Sequence, residues 1–261
     1  MNPTGNTILI TGGGSGIGRG LAEAFHRQGN QVIIAGRRQV ALDETAAANP
    51  GVKSLTLNIE DPAAIKSFAA RVAADFPALN VVIHNAGIMK MENLAGDSID
   101  LSISESIITT NLLGPLRLTA ALLPTLKKQP KATIVTVSSG LAFLPLAMTP
   151  TYCATKAAIH SWTQSLRYQL RDTNIEVLEL APPYVQTELM GARQAADPNA
   201  MPLADFITES VTLFDDPPAS GELLVKRVEA LRWAEKTGTY DQLFHRINGA
   251  VHEDLVASGR S

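Results

Sequence analysis

The sequence predicts an α/β fold: one domain, a doubly wound parallel sheet with helices on both faces, and a C-terminal flap. Three observations predict it. Short β-branched or apolar runs alternate with longer segments of helical period from residue 7 to residue 187. A glycine-rich stretch stands between the first run and the first helical segment. No repeat, low-complexity tract or linker divides the 261 residues, and their 45% apolar content suffices for a substantial core.

Residues 7–11, 31–35, 53–57, 80–84, 132–138 and 175–180 have the length and composition of buried parallel strands. Between them, 17–27, 40–48, 61–76, 105–127 and 151–171 read as helices, several opened by capping residues or acids. Successive strand, helix, strand units cross over right-handedly, which places helices on both faces of one sheet. After Thr187 the rhythm weakens. Pro198, Pro202, Pro217 and Pro218 stand among isolated apolar residues, as in an inserted flap. Residues 222–225 suit a last strand, and 226–236 a helix closed by Gly238. Phe244 and Ile247 lie in a tail with no assignment. The expected organisation is thus a single domain over 1–261, with a core at 1–187 and a flap and C-terminal segment at 188–261.

Twenty-two basic and 25 acidic residues are interspersed, for a net charge of −3, so no basic block exists to neutralise nucleic-acid phosphates. Nucleic acid is not an expected partner. The first ten residues lack the pattern of a signal peptide, and no uninterrupted apolar run approaches the ~20 residues of a membrane helix. A cytoplasmic protein without a membrane partner is expected. The single cysteine, Cys153, excludes an internal disulfide. No metal is expected.

The first strand ends in Thr11-Gly12-Gly13-Gly14-Ser15-Gly16-Ile17-Gly18, and a helix follows at once. Glycines let the backbone approach a pyrophosphate, whose charge is favoured by the free N–H groups and dipole of a helix start. Gly12, Gly14, Ser15, Gly16, Ile17 and Gly18 are therefore candidate dinucleotide contacts, although a tight strand-to-helix turn would ask for similar residues. Further on, Tyr152-Cys153-Ala154-Thr155-Lys156 opens a helix, so the phenol and the ammonium share one face. A neighbouring cation favours a phenolate and would bring a tyrosine toward useful acid–base behaviour.

These two motifs, in this order and spacing, closely resemble those of the short-chain dehydrogenase/reductase family. The resemblance covers residues 7–187. It extends to Asn85-Ala86-Gly87 after the fourth strand, to Asn111 in the following helix, and to Ser139, thirteen residues before Tyr152. Ser138 is one residue too early. The resemblance implies a Rossmann fold and a set of roles: Ser139 polarises a carbonyl, Tyr152 exchanges its proton, Lys156 lowers the tyrosine pKa and holds the nicotinamide ribose, and Asn111 holds a relay water. It further implies cofactor contacts from Ile59, Asn85, Ala86, Gly87, Pro182, Val185 and Thr187. Three departures are visible: His84 begins the Asn-Ala-Gly stretch and reads as a packing residue, Pro182-Pro183 replaces Pro-Gly, and the terminal Val-Asp-Gly-Gly is missing. Text around Ser139 and at Leu231-Arg232-Trp233-Ala234-Glu235 resembles a bacterial subgroup whose named member is an oxidoreductase encoded with teichoic-acid D-alanylation genes.

An NAD-preferring site usually offers an acid at the end of the second strand. Gly36 stands there, followed by Arg37 and Arg38, which suit a 2′-phosphate, so NADP(H) is the expected cofactor. Asn58 is a candidate adenine contact. The expected activity is NADPH-dependent reduction of ketones, diketones or aldehydes to alcohols, reversible in direction, on a small-molecule carbonyl or alcohol substrate. The alternatives are an NAD-dependent alcohol dehydrogenase and a non-catalytic dinucleotide-binding scaffold. Leu141, Phe143, Leu144, Leu146, Leu189, Met190 and Phe206 are expected to give an apolar pocket, with Arg193 as the one anion-binding threat to it. The long helices at 105–127 and 151–171 are expected to pair in a homodimer, or a homotetramer.

Overall fold

A computed structural model describes the backbone at residues 1–96 and 99–258, and side chains as far as residue 249. Seven parallel strands form one sheet in the order β3-β2-β1-β4-β5-β6-β7. They are β1 (Thr7–Thr11), β2 (Gln31–Gly36), β3 (Lys53–Thr56), β4 (Leu79–His84), β5 (Ala132–Val137), β6 (Ile175–Ala181) and β7 (Glu222–Leu224). The strand order reverses between β1 and β4, and a crevice opens beyond their carboxyl ends, where open α/β sheets bind ligands. Central strands are buried along their whole length, as β1 and β5 are, while the edge strand β3 alternates with solvent.

Alternation along each strand feeds two cores. On one face, Ile8 and Ile10 of β1 meet α1 (Gly16–Arg27) through Leu21 and Phe25, and α8 (Leu203–Asp215) through Phe206 and Phe214. Phe25 and Phe214 meet edge to face at 5.3 Å. On the other face, Leu9 and Val82 meet Phe68 and Val72 of α3 (Pro62–Asp75) and Leu118 and Leu122 of α5 (Gly114–Leu126). α2 (Gln39–Ala48) follows β2, and α6 (Pro150–Leu170) joins β5 to β6. The start of α3 combines a proline at its first position with the Asp61 carboxylate, which accepts from the N–H groups of Ala63 and Ala64.

Three elements differ from the sequence expectation. The helix expected at 105–127 begins earlier, as α4 (Leu101–Ile108), because Asp100 caps it by accepting from the Ser102 N–H at 2.9 Å. It then widens into a π turn at Thr109–Leu113 before α5. Pro115 has no N–H to offer the carbonyl of Asn111, which is one reason the regular ladder breaks there. By length and composition the rod Leu101–Leu126 could cross a membrane, but Ile107, Leu118, Leu122 and Leu126 are fully buried, as in a core helix.

The segment after 187 divides. Thr187, Glu188, Leu189 and, from α7 (Ala192–Ala195), Gln194 border the crevice, whereas α8 packs on α1 and β7 extends the sheet. The helix expected at 226–236 is a 3₁₀ turn (Lys226–Val228) and a short α9 (Glu229–Arg232). Its apolar residues serve two clusters, Val228 the sheet core and Leu231 and Ala234 the side chain of Leu144. The unassigned tail is a helix, α10 (Tyr240–Ser258). It docks through Leu243 and through the Asn248 amide, which accepts from the Ala147 N–H at 2.6 Å and donates to the Pro145 carbonyl at 3.1 Å.

Candidate active site

A crevice of about 400 Å³ runs along the carboxyl ends of β1, β2, β4, β5 and β6. At its centre lies the glycine-rich turn. Gly12, at φ 71°, passes so close to the next strand that a Cβ would lie 2.8 Å from the Asn85 amide nitrogen, so only glycine fits. Gly18 does not border the crevice; a Cβ there would strike both Asn85 and the Gly12 carbonyl, so this glycine serves helix packing. Thr11 locks the two strand ends together, its hydroxyl accepting from the N–H groups of Asn85 at 3.1 Å and Ala86 at 3.0 Å. Ser15 stands at the N-cap of α1, and its side chain makes no capping bond. The first amides of α1 therefore face the crevice as an anion site, which suits a pyrophosphate.

One end of the crevice is basic. Arg38 donates to the Ser15 hydroxyl at 2.8 Å, and Arg37 pairs with Glu60 at 2.9 Å, with about half of the Arg37 side chain exposed. Glu60 also accepts from the Thr110 hydroxyl. Leu57 and Ile59 border the space between them, but Asn58 does not. Its amide oxygen accepts from the Glu60 N–H at 3.2 Å, within the turn that follows β3.

The other end is buried. Ser139 ends β5 and caps a 3₁₀ turn (Gly140–Ala142), its hydroxyl accepting from the Leu141 N–H at 3.1 Å. Tyr152 and Lys156, one turn apart on α6, are 6% and 5% exposed, and both border the crevice with Ser139. The Lys156 ammonium donates to the Val137 carbonyl at 2.7 Å and lies 5.5 Å from the Tyr152 ring centre. Burial pushes the Lys156 pKa down to about 8 and that of Tyr152 up to about 12, the Ser139 hydroxyl opposing the latter shift. The tyrosine pKa is thus raised by desolvation, where the sequence expectation is that Lys156 lowers it.

Asn111 is buried beside this group but does not border the crevice. Its amide accepts from the Ile88 N–H at 2.9 Å and donates to the Ile88 carbonyl and to Thr155, tying the segment after β4 to α6. Gly87 passes between Asn111 and Lys156, where a Cβ would approach Asn111 to 3.3 Å. His84 is buried, bonded to Thr119 at 2.8 Å, and its pKa falls to about 4 through desolvation, as suits a packing residue.

Sequence reading passed over several residues here. Glu92, only 8% exposed, accepts from Ser104 at 2.6 Å, from the Thr151 hydroxyl at 2.7 Å and from the Thr151 N–H at 3.0 Å, so it caps the helix that bears Tyr152 from a distant segment. Gln194 borders the crevice and donates to the Val185 carbonyl and Thr187, holding the chain that lies across it. The buried Ser138 hydroxyl has no partner among the described residues and sits in a residue that borders the crevice. None of these has a motif of its own.

The expected pocket residues separate. Leu189 borders the crevice, and Leu141, Leu146 and Met190 pack with Met89, Ile107, Tyr152 and Cys153. Leu144 and Phe206 are core residues at 0% exposure, placed there by α10 and α8, and Phe143 stacks on Arg232. Arg193 is exposed and does not border the crevice, whereas Lys90 and Glu188 do. Pro182, Val185 and Thr187 border it as expected.

A family model described as short chain dehydrogenase matches residues 6–198. The chain is 40% identical over 251 residues to "Uncharacterized oxidoreductase DltE" of Bacillus subtilis, covering 95% of this chain and 98% of that protein. Among solved structures it is similar to a short-chain dehydrogenase from Sphingobium yanoikuyae in complex with NADPH, at 28% identity and a TM-score of 0.77, covering 91% of this chain and 94% of that one. A fold likeness at 20% identity and a TM-score of 0.78 links it to a short chain dehydrogenase/reductase from Burkholderia phymatum in complex with NAD, covering 90% and 95%.

Proposed function

The chain belongs to the short chain dehydrogenase family of oxidoreductases, which bind a nicotinamide dinucleotide, and from that premise we propose that it reduces ketones, diketones or aldehydes with NADPH. The observation that carries this reading is the convergence on one crevice of an amide-lined anion turn, two arginines at one end, and Ser139, Tyr152 and Lys156 at the other. When bound, the dinucleotide supplies the hydride. The first amides of α1, with Gly12, Gly14 and Gly16 close by, would hold its pyrophosphate, and Lys156 would reach its ribose. Asn85, Ala86 and Gly87 would line its path, as would Ile59, Val185 and Thr187.

The chain's own residues divide the chemistry. The Ser139 hydroxyl donates to the substrate oxygen and polarises the carbonyl. The Tyr152 hydroxyl passes its proton to that oxygen as negative charge develops there, and takes it back in the oxidative direction. Lys156 favours the transient phenolate by its charge, and Asn111 fixes the Gly87 segment against which the lysine lies. The low exposure of Tyr152 and Lys156 keeps water away and strengthens each of these interactions.

NADPH preference rests on Arg38 more than on Arg37, because Glu60 already partly neutralises Arg37. That same carboxylate, paired with Arg37 at the basic end of the crevice, is the observation that favours NAD-linked alcohol oxidation as a second reading. A panel of 2,3-butanedione, simple ketones and aldehydes assayed with NADPH and with NADH separates the two. Faster turnover with NADPH is expected; a preference for NADH would replace the first reading by the second, and no turnover of any carbonyl or alcohol would favour a binding scaffold. A homodimer through α4, α5 and α6 is part of the proposal, supported by the exposed Leu101 and Ile108 on α4 and Tyr168 on α6. Light scattering at micromolar concentration tests it.

A further inference from the structure

Beneath the catalytic pair lies a buried carboxylate for which the chemistry above has no use. Tyr152, Lys156 and His160 follow one another at intervals of four along α6 and so form one row on its inner face. The last member of that row is held from below. His160 Nδ1 lies 2.8 and 3.0 Å from the two carboxylate oxygens of Glu179, which stands in β6 with no solvent exposure. Glu179 is in register with Thr136 of β5, and the next residue of β5, Val137, gives its carbonyl to Lys156. The ammonium and the carboxylate are therefore anchored on neighbouring rungs of the sheet under the same helix.

We propose that Glu179, oriented by His160, is the buried counterion of Lys156 and keeps its ammonium charged in a site that would otherwise discharge it. Glu179 acts through the lysine and is a positioning residue. It rests on the reading of Lys156 given above, and it explains how a lysine only 5% exposed stays cationic while its sole hydrogen bond among the described residues goes to a neutral carbonyl. The charge of Glu179 does raise the Lys156 pKa, against the larger effect of burial.

The groups facing Glu179 define the balance. From α6 these are His160 and Lys156, and from α9 comes Arg232, whose pKa is raised chiefly by its bond to Glu222 and to a lesser degree by Glu179. Glu222 of β7 stands in register beside Glu179, and Arg232 grips both of its oxygens, at 2.6 and 3.0 Å. Two adjacent buried carboxylates would repel each other, so each needs its own partner. Glu222 has Arg232, with His160 and Arg167 nearby, and Glu179 has His160 in contact and Lys156 at longer range.

The test reads the lysine itself. In protein carrying lysine labelled with ¹³C at Cε, the Lys156 resonance is identified by its loss in Lys156→Arg, and its midpoint is followed against pH. Glu179→Gln should lower the midpoint by about one pH unit or more, and Glu179→Asp, which keeps the charge, should restore most of the difference. Glu222→Gln, which breaks the neighbouring pair, should lower the Tm without moving the midpoint. An unchanged midpoint in Glu179→Gln, or an equal shift in Glu222→Gln, overturns the proposal. Should Glu179→Gln fail to fold, His160→Ala removes the orienting ring and leaves the carboxylate; the midpoint should then fall by part of that amount, and an unchanged midpoint refutes the idea. With 2,3-butanedione and NADPH, the alkaline limb of kcat should move down in Glu179→Gln together with the midpoint. Absence of turnover would count against the proposed reduction and leave the resonance measurement to decide on the counterion.

Discussion

The two ends of the crevice are made of different materials. At the adenosine end, exposed cations hold each other's neighbours loosely: Arg37 on Glu60 and Arg38 on Ser15, with solvent around both. At the nicotinamide end Lys156, Asn111 and Glu92 are buried and pinned, to Val137, Ile88 and Thr151 in turn. A screened charge in water is worth little by itself, whereas a buried one is costly to place and strong once placed. The first end can therefore vary in preference without endangering the fold, and the second sets both chemistry and stability. Substitutions at the two ends should accordingly differ in what they damage.

The largest effect is expected at the buried end. Tyr152→Phe removes only the hydroxyl, so turnover should fall about 10³-fold while the ring still fills its place and NADPH still binds. Stopped-flow turnover and NADPH fluorescence titration on the same sample check the two halves; wild-type turnover would remove Tyr152 from the proton path.

Below the crevice floor, burial makes itself felt as acid sensitivity. His84 takes a proton in the folded protein only near pH 4, but in the unfolded chain near 6.5, so protons favour unfolding. Its contribution is nil above about pH 6.5. From there to about pH 4 it removes up to about 3 kcal/mol of stability. In His84→Asn the difference in Tm between pH 7.5 and pH 5 should shrink, and an undiminished difference would place the acid sensitivity in other groups.

At the exposed end the effect should fall on selectivity. Arg38→Asp should weaken NADPH binding by roughly 10- to 100-fold, the range of one or two charge-assisted hydrogen bonds, and leave NADH binding nearly unchanged. Arg37→Asp should cost only a few-fold, because Glu60 already shares that guanidinium. Equal and large losses in both variants, or equal losses for NADPH and NADH, would break the contrast between the ends.

The same contrast explains what could be read from the sequence. Strands such as β1 and β5 are runs of apolar or β-branched residues because both of their faces are covered, and the motif residues at their ends stand where the crevice needs them. The C-terminal third was opaque for a physical reason: its helices are held by specific partners more than by regular apolar stripes. α10 docks partly through the amide of Asn248, and α9 ends at Arg232, whose guanidinium lies over the rings of Phe143 and Trp233. Phe206 shows the consequence, since an apolar residue in an apparent flap turns out to be core once α8 lies on α1. Glu92, Gln194 and Glu179 were illegible because each works through contacts with residues distant in sequence.

Cys153 sharpens the contrast at its smallest. It lies at the buried end, next to Tyr152, with its thiol bonded to the Leu146 N–H at 3.3 Å and near the Thr149 hydroxyl, and burial pushes its pKa up. A raised pKa keeps the thiol protonated, the opposite of what a nucleophile needs. On the helix, a residue one position after Tyr152 points about 100° away from it. Its neighbours Met89, Ile107 and Leu146 are apolar, so Cys153→Ala should cost about 1 kcal/mol of stability and less than twofold in kcat. Urea unfolding gives the first quantity and steady-state assay the second. If kcat fell instead as far as in Tyr152→Phe, burial at this end would have to be read as serving the thiol as well as the phenol.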